Sequence, residues 1–318
     1  MKKIKKINCI IDCDPGVDDT AAIALSLYDD MMDIKLITTV CGNLDLESVT
    51  RNTLHVLEKF KRTDIPVAKG APKAMYRVSP DAKFIHQNEG MGNYIPPKTV
   101  KKKPVAKSAV EAMYETIKKY KNNIIIIALA PHTNLGYLFQ EHPDVAGMIS
   151  HIYCEGCAPY GHKNQGKKWM HYVSFNASSD PEAMKLVFES GVPITIVPSR
   201  MGREGANFTE EEVNYIKTIN DVGHFIYDMY SGYWEHGYED KRIAINDSLA
   251  CLIMRFPELF KTKKCFFTIN TTDMPGRTDV EFSRKGNIEI VVKVNKKKIH
   301  KYYYNAVKKL DRFKFYKK

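Results

Sequence analysis

The chain has 318 residues, 44% of them hydrophobic, enough to bury one large core. Its net charge of +11 comes from lysines and arginines scattered along the chain, with short runs at 1–6, 101–103, 295–298 and 315–318. Without an Arg-rich helix or an aromatic-spaced RNA-binding pattern, that charge speaks against a nucleic-acid groove.

From residue 7 onward, strand and helix patterns alternate, the signature of a mostly parallel central sheet with helices on both faces, a Rossmann-like α/β fold. Residues 7–11 form a short apolar strand and 18–28 a helix that buries Ala22, Ile23, Leu25 and Leu27, before a second strand at 34–40. A helix at 46–60, a strand at 66–68 and a strand at 124–129 follow; the four consecutive isoleucines of the last predict burial on both faces. Segments 144–150, 151–153, 180–189 and 193–198 continue the alternation. Residues 210–254 read as helical, and 280–282 with 288–294 as a late hairpin around Lys285-Gly286-Asn287. The stretch 71–103, rich in Pro, Gly, Lys and Asn, is too long for an idle connection and reads as a lid or binding loop of a single domain spanning 1–318.

The seven cysteines are odd in number and sit mostly in apolar runs, as buried reduced thiols do. Only Cys154-Glu155-Gly156-Cys157 has C-x-x-C spacing, and with no second pair nearby it reads as coincidence. Asp12 and Asp14 break the apolar run behind the basic start before a secretory core could form, and no window reaches transmembrane length, so a soluble cytoplasmic protein is expected, engaging no membrane.

The chemistry concentrates at the first strand-to-helix turn, where Asp12, Asp14, Asp18 and Asp19 place four carboxylates within eight residues. Ligands of open α/β sheets bind outside the carboxyl ends of strands, so this is the expected place for a site. Capping the following helix accounts for one or two of these acids, but four together repel unless a cation neutralises them. Carboxylates without His or Cys are hard oxygen ligands, which points to Ca²⁺ or Mg²⁺ rather than zinc.

The run Asp12-Cys13-Asp14-Pro15-Gly16-Val17-Asp18-Asp19 resembles the N-terminal signature of the inosine–uridine-preferring nucleoside hydrolase family. Further elements match in order: 38–43 (TTVCGN), 86–92 (HQNEGMG), 130–135 (APHTNL), 175–183 (FNASSDPEA) and 244–247 (AIND). The resemblance covers nearly the whole chain. It implies the nucleoside hydrolase fold and hydrolysis of the N-glycosidic bond of ribonucleosides or related N-ribosides, in purine and pyrimidine salvage. It also implies Ca²⁺ held by Asp14, Asp19, Asp247 and the backbone carbonyl of Leu129. Asp14 would take the proton of the attacking water while Asp18, Asn43 and Asn176 grip the ribose, through an oxocarbenium-like transition state. His86 would lie in the base-facing loop as a substrate contact. Tyr230 and Trp234, four apart on one helix face, are spaced either to stack on a leaving base or to pack in the core. A homodimer or homotetramer is the expected assembly.

Two departures stand out. The family carries a His before the last metal-binding Asp, able to protonate the departing base; here that residue is Asn246, and an amide cannot act as a general acid. The Glu usual two residues before the sugar-binding Asn is Ser174, which weakens the expected grip on the ribose 5′-hydroxyl. These departures keep open an alternative, a non-catalytic ribose- or nucleoside-binding regulatory protein on the same fold.

Overall fold

Side-chain alternation in the first strand sets the architecture. In β1 (Ile7–Cys13), Cys9, Ile11 and Cys13 enter one apolar cluster while Ile10 enters a second on the opposite face. The isoleucine run divides likewise, Ile125 and Ile127 to the first cluster and Ile124 and Ile126 to the second, so the sheet is buried on both faces. The computed structural model describes residues 6–316 apart from 79–81, 88, 160–161, 164–169, 172 and 237–241.

In chain order, β1 is followed by α1 (Val17–Ser26), β2 (Met32–Thr39), α2 (Leu46–Lys59) and β3 (Val67–Lys69). The stretch 71–103 holds the short α3 (Lys83–His86), after which come α4 (Ala109–Lys119), β4 (Ile125–Ala128), α5 (Thr133–Glu141) and β5 (His151–Glu155). Residues 143–148, in the segment 144–150, form a 3₁₀ turn. A two-residue pair, β6 (His162–Lys163) with β7 (Met170–His171), precedes α6 (Phe175–Ser179), α7 (Pro181–Glu189) and β8 (Ile194–Val197). The chain ends with α8 (Glu210–Ile219), α9 (Asp221–His236), α10 (Asn246–Arg255), β9 (Phe260–Ile269), β10 (Thr278–Phe282), β11 (Ile288–Val294) and α11 (Lys296–Lys309).

The main sheet has nine strands in the order β10-β9-β11-β8-β5-β4-β1-β2-β3. Pairing is parallel from β3 across to β11, and antiparallel only where β9 meets β11 and β10. The chain winds from β1 outward through β2 and β3 on one side and through β4, β5 and β8 on the other, so the order reverses between β1 and β4. At such a reversal the flanking connections part and leave a crevice at the strands' carboxyl ends.

Three expectations are corrected. The hairpin between 280–282 and 288–294 does not form: both strands pair with β9, and Phe282 and Ile288 face Cys265 from its opposite sides. The connection steps over β9 so closely that a Cβ on Gly286 would stand 2.3 Å from the Cys265 carbonyl carbon. Within the expected helical stretch 210–254 the described residues form α8, α9 and α10, with Asn220 fully extended between the first two (φ −172°, ψ −176°), Ile243 bridged to Phe208 before α10, and 237–241 outside the described residues. β9 and α11 had no counterpart in the sequence reading, because the strand exposes Lys261, Lys263 and Lys264 and the helix is rich in lysine and tyrosine. All seven cysteines are free and buried. Among the described residues no helix is long and apolar enough to cross a membrane.

Candidate metal and sugar site

At the carboxyl ends of β1, β4 and β5 lies a cavity of about 690 Å³, its open mouth included, a size suited to a small-molecule ligand. The ends of β1 and α1 form its acidic floor. Asp19, in the first turn of α1, accepts from the backbone N–H groups of Asp14 and Gly16, both at 3.3 Å. Asp14 Oδ2 accepts from the Asn43 backbone N–H at 2.7 Å, and a Cβ on Gly42 would stand 2.0 Å from that oxygen, so only glycine lets the loop after β2 close on it. Asp247 arrives from the first turn of α10, next to Asn246. Ligand oxygens of Asp18, Asp19 and Asp247 lie within 4.8 Å of one another, and Asp14 adjoins Asp19. Of the expected carboxylate ligands, Asp19 and Asp247 are in this close set, Asp18 takes a place in it, and Asp14 stands beside it.

Burial and mutual repulsion act on the whole cluster. Burial, then the charge of Asp18, pushes Asp19 up to about 7; burial, then Asp19, raises Asp14 well above the carboxylate range; burial, then Asp18 and Asp19, does the same to Asp247. Asp12, fourth member of the sequence cluster, plays another part: its Oδ1 accepts from Thr38 Oγ1 at 2.6 Å and Asn134 Nδ2 at 2.8 Å, tying β1 to β2 and α5. Cys13, between two acids, gives its thiol to the Thr38 carbonyl and is a packing residue.

Acceptors dominate the wall above this floor. Asn43 Nδ2 spends its protons on the Asp14 carbonyl (3.1 Å) and Asp19 Oδ2 (3.0 Å). Asn176 Nδ2 spends its own on the Leu129 carbonyl (2.7 Å) and Glu155 Oε2 (2.9 Å). A carbonyl cannot donate, so these contacts fix the amide orientations and leave each Asn offering a ligand only its oxygen. Carboxylates, amide oxygens and the Leu129 carbonyl, with no His or Cys in the close set, fit a hard divalent cation and a ligand rich in O–H groups. A cation among them would offset the repulsion that raises these carboxyl groups and favour their ionised forms.

His86, carried by α3, arches over the turn after β1. Its Nδ1 accepts from the Val17 N–H at 3.0 Å, which puts the ring proton on Nε2, and burial lowers its pKa to about 4, so it is neutral near pH 7. Asn246 lies against Gly202 with Oδ1 buried and without a partner, leaving the amide nitrogen as the end that faces the cavity. Ser174 lines the cavity but gives its oxygen to the Ala177 N–H at 3.4 Å as the cap of α6.

Of the residues expected at the site, Asp18, Asp19, Asn43, His86, Leu129, Ser174, Asn176, Asn246 and Asp247 line this one cavity, and Asp14 lies directly beneath it. Tyr230 and Trp234 do not line it. Tyr230 is fully buried with its hydroxyl 2.6 Å from that of Tyr303, and Trp234 packs edge-on against Tyr227. Successive helix residues turn by about 100°, so Trp234 and Tyr233 fall on opposite sides of Tyr230, and it is Tyr233 that faces the cavity. The sequence reading also passed over Glu155, Ser199 and Arg203. Glu155 had been set aside inside the C-x-x-C spacing; an acid at the carboxyl end of a strand two places from β1 was the available signal.

Comparison with known proteins agrees with this geometry. The family model described as inosine-uridine preferring nucleoside hydrolase matches residues 9–301. The non-specific ribonucleoside hydrolases RihC of Salmonella paratyphi B and Salmonella enteritidis PT4 are each 31% identical over 265 residues, covering 83% of this chain and 84% of the relative. Among solved structures, a purine-preferring ribonucleoside hydrolase from Gardnerella vaginalis superposes with a TM-score of 0.87 at 24% identity, covering 96% of this chain and 100% of the other. The plant nucleoside hydrolase PpNRh1 does so with a TM-score of 0.85 at 24% identity, covering 95% and 99%. The aspartate floor, the parallel sheet that carries it and the match along nearly the whole length together place this chain in the inosine–uridine preferring nucleoside hydrolase family.

Proposed function

We propose that this protein hydrolyses the N-glycosidic bond of ribonucleosides or related N-ribosides to ribose and free base, with Ca²⁺ as its metal, in nucleoside salvage. The observation that carries the reading is the acceptor-rich cavity: a sugar offers O–H donors, and the clustered carboxylates need a cation. Asp14, Asp19, Asp247 and the Leu129 carbonyl would hold the ion, with Asp18 close enough to join them. When bound, Ca²⁺ neutralises the cluster and favours ionisation of water.

Asp14, buried and fixed by the Asn43 N–H, is placed to take the proton of the attacking water. Asp18, Asn43 and Asn176 accept from ribose hydroxyls and hold the ring while positive charge develops at the anomeric carbon. Among the described residues, the leaving-group side carries two neutral donors, the Nε2–H of His86 and the amide of Asn246. Such donors stabilise a departing base by hydrogen bonding rather than by full proton transfer, favouring substrates whose base leaves readily. The names of the relatives, non-specific and purine-preferring ribonucleoside hydrolases, support this substrate class. Family membership favours turnover over the binding-only alternative.

The test is chromatographic detection of free base and ribose from a panel of purine and pyrimidine nucleosides and a p-nitrophenyl riboside, with Ca²⁺ and with chelator. Release that stops on chelation and returns with Ca²⁺ supports the reading. No release from any substrate in Ca²⁺ overturns it.

A further inference from the structure

Glu155 has no part in the roles above, although its carboxylate lies in the same cavity and is 6% exposed. It ends β5, whereas the aspartates come from β1, α1 and α10, and it lies near enough to feel the charges of Asp18 and Asp19. Both oxygens are held: Oε1 accepts from Ser199 Oγ at 2.8 Å and Oε2 from Asn176 Nδ2 at 2.9 Å. Those two donors come from the turn after β8 and from α6, so the carboxylate is aimed from two sides. A carboxylate has about four acceptor positions, so two remain after these contacts. Burial pushes its pKa up to about 8, and the hydrogen bond from Ser199 and the charge of Arg203 on the same cavity oppose that rise.

A mere tie between β5 and its neighbours would need no acid, and burying a polar group with unfilled acceptor positions costs free energy unless it is used or compensated. Asn176, having spent both amide protons, adds one more acceptor beside it. Ser174 cannot replace the carboxylate, since its oxygen caps α6. This wall therefore asks for a donated hydroxyl proton. On the reading given above, the cation and its aspartates take the vicinal 2′,3′-diol of the ribose, and the one hydroxyl left over is the primary 5′-hydroxyl.

We propose that Glu155 is a specificity-determining residue that accepts the proton of the ribose 5′-hydroxyl, restoring from β5 the carboxylate that Ser174 does not supply from the turn before α6. The inference rests on the proposed hydrolase reading. It adds that the site selects substrates with a free 5′-hydroxyl over 5′-deoxy sugars.

The experiment compares kcat/KM for inosine and 5′-deoxyinosine in the wild type, Glu155→Gln and Glu155→Met, with thermal melting to show that each variant folds. Leaving a buried acceptor unsatisfied when the 5′-hydroxyl is missing predicts a wild-type preference for inosine of about 10- to 100-fold. Glu155→Met should reduce it to within roughly threefold, mainly through loss on inosine, with Glu155→Gln between the two. A preference unchanged in Glu155→Met, or an equal loss on both substrates, overturns the proposal. If the wild type cleaves neither substrate, the hydrolase reading fails separately. Calorimetric titration of the Ca²⁺-loaded protein with ribose and 5-deoxyribose then decides the role of Glu155: weaker binding of 5-deoxyribose, abolished in Glu155→Met, supports it, and equal affinities overturn it.

Discussion

Tyr233 donates its hydroxyl proton to Asp18 Oδ1 across 3.0 Å, joining a helix 215 residues downstream to the first turn of α1. The same hydroxyl lies 3.4 Å from His86 Nδ1, so one side chain orients an acid of the cation floor and borders the imidazole above it. Asp18 is the least buried of the acids and, without this contact, could rotate toward water. Tyr233→Phe should therefore lower kcat/KM by roughly 3- to 30-fold, as expected for one hydrogen bond of about 1–2 kcal/mol, with melting temperature nearly unchanged. Steady-state kinetics of the two proteins checks this; equal kcat/KM would show that Asp18 holds its place unaided.

Metal content gives a second test. The purified protein should carry close to one Ca²⁺ per chain by elemental analysis, because neutralising Asp18, Asp19 and Asp247 relieves the repulsion between oxygens within 4.8 Å of one another. Chelation should lower the melting temperature, since an ion that binds only the folded chain stabilises it by mass action. Asp247→Asn should abolish that metal-dependent shift. A melting temperature indifferent to millimolar Ca²⁺ would count against the site.

The rate should depend on Asp14 far more than the fold does. Asp14→Asn keeps an oxygen near the Asn43 N–H but removes the base, so kcat should fall on the order of 10²–10⁴. Circular dichroism should be unchanged. Near-normal kcat in this variant would assign the base elsewhere.

Legibility from sequence followed the range of the interactions involved. The strands of the parallel core were readable because burial on both faces leaves runs such as Ile124 to Ile127. β9 was not, because its lysines face water and its few buried residues are widely spaced, Phe260 in one cluster and Cys265 and Ile269 in the other. Asp14, Asp18 and Asp19 of the floor were readable because β1 and α1 deliver them within one turn of chain, whereas Asp247, from α10, was legible only through the family resemblance. Glu155 and Tyr233 reach the cavity through the sheet order and the rotation of α9, which no local pattern encodes. Local periodicity set Tyr230 beside Trp234 but could not say that the space beyond Tyr230 is filled by Tyr303.

Acid should weaken the fold through His132. This side chain is fully buried, neither ring nitrogen has a hydrogen-bond partner, and burial lowers its pKa from 6.5 to about 4. Above 6.5 the ring is neutral in both states and contributes nothing to the pH dependence. As pH falls below 6.5 the unfolded chain takes up a proton that the folded chain refuses, so stability is lost until about pH 4. At pH 5 the loss from this group is about 2 kcal/mol. Buried Asp12, pushed up to about 7, acts in the opposite direction, so the wild-type curve alone cannot isolate either group. His132→Leu should gain about 2 kcal/mol on the wild type at pH 5 relative to their difference at pH 7.5, measured by urea unfolding. An unchanged difference would mean that His132 is protonated in the folded state.

The last prediction concerns Asn246, on the leaving-group side. Its amide can donate a hydrogen bond but cannot give up a proton, and His86, neutral with its proton on Nε2, is likewise a donor near pH 7. A poor leaving group such as hypoxanthine in inosine should therefore leave slowly, while p-nitrophenolate, which needs no acid, leaves readily. The wild type should show a kcat/KM for the p-nitrophenyl riboside well above that for inosine. Gly202 is pressed so closely against the residue at 246 that a Cβ would stand 1.9 Å from the amide oxygen, so a larger ring at 246 must turn into the cavity. Asn246→His should then raise inosine cleavage by no more than the roughly 10²–10⁴ that general acid catalysis supplies, and leave the p-nitrophenyl substrate nearly unchanged. The measurement is the ratio of the two kcat/KM values in both proteins. A wild-type ratio near unity, unmoved by the substitution, would mean that another group already delivers the proton; His86→Gln would then test the remaining neutral donor by whether it selectively slows inosine.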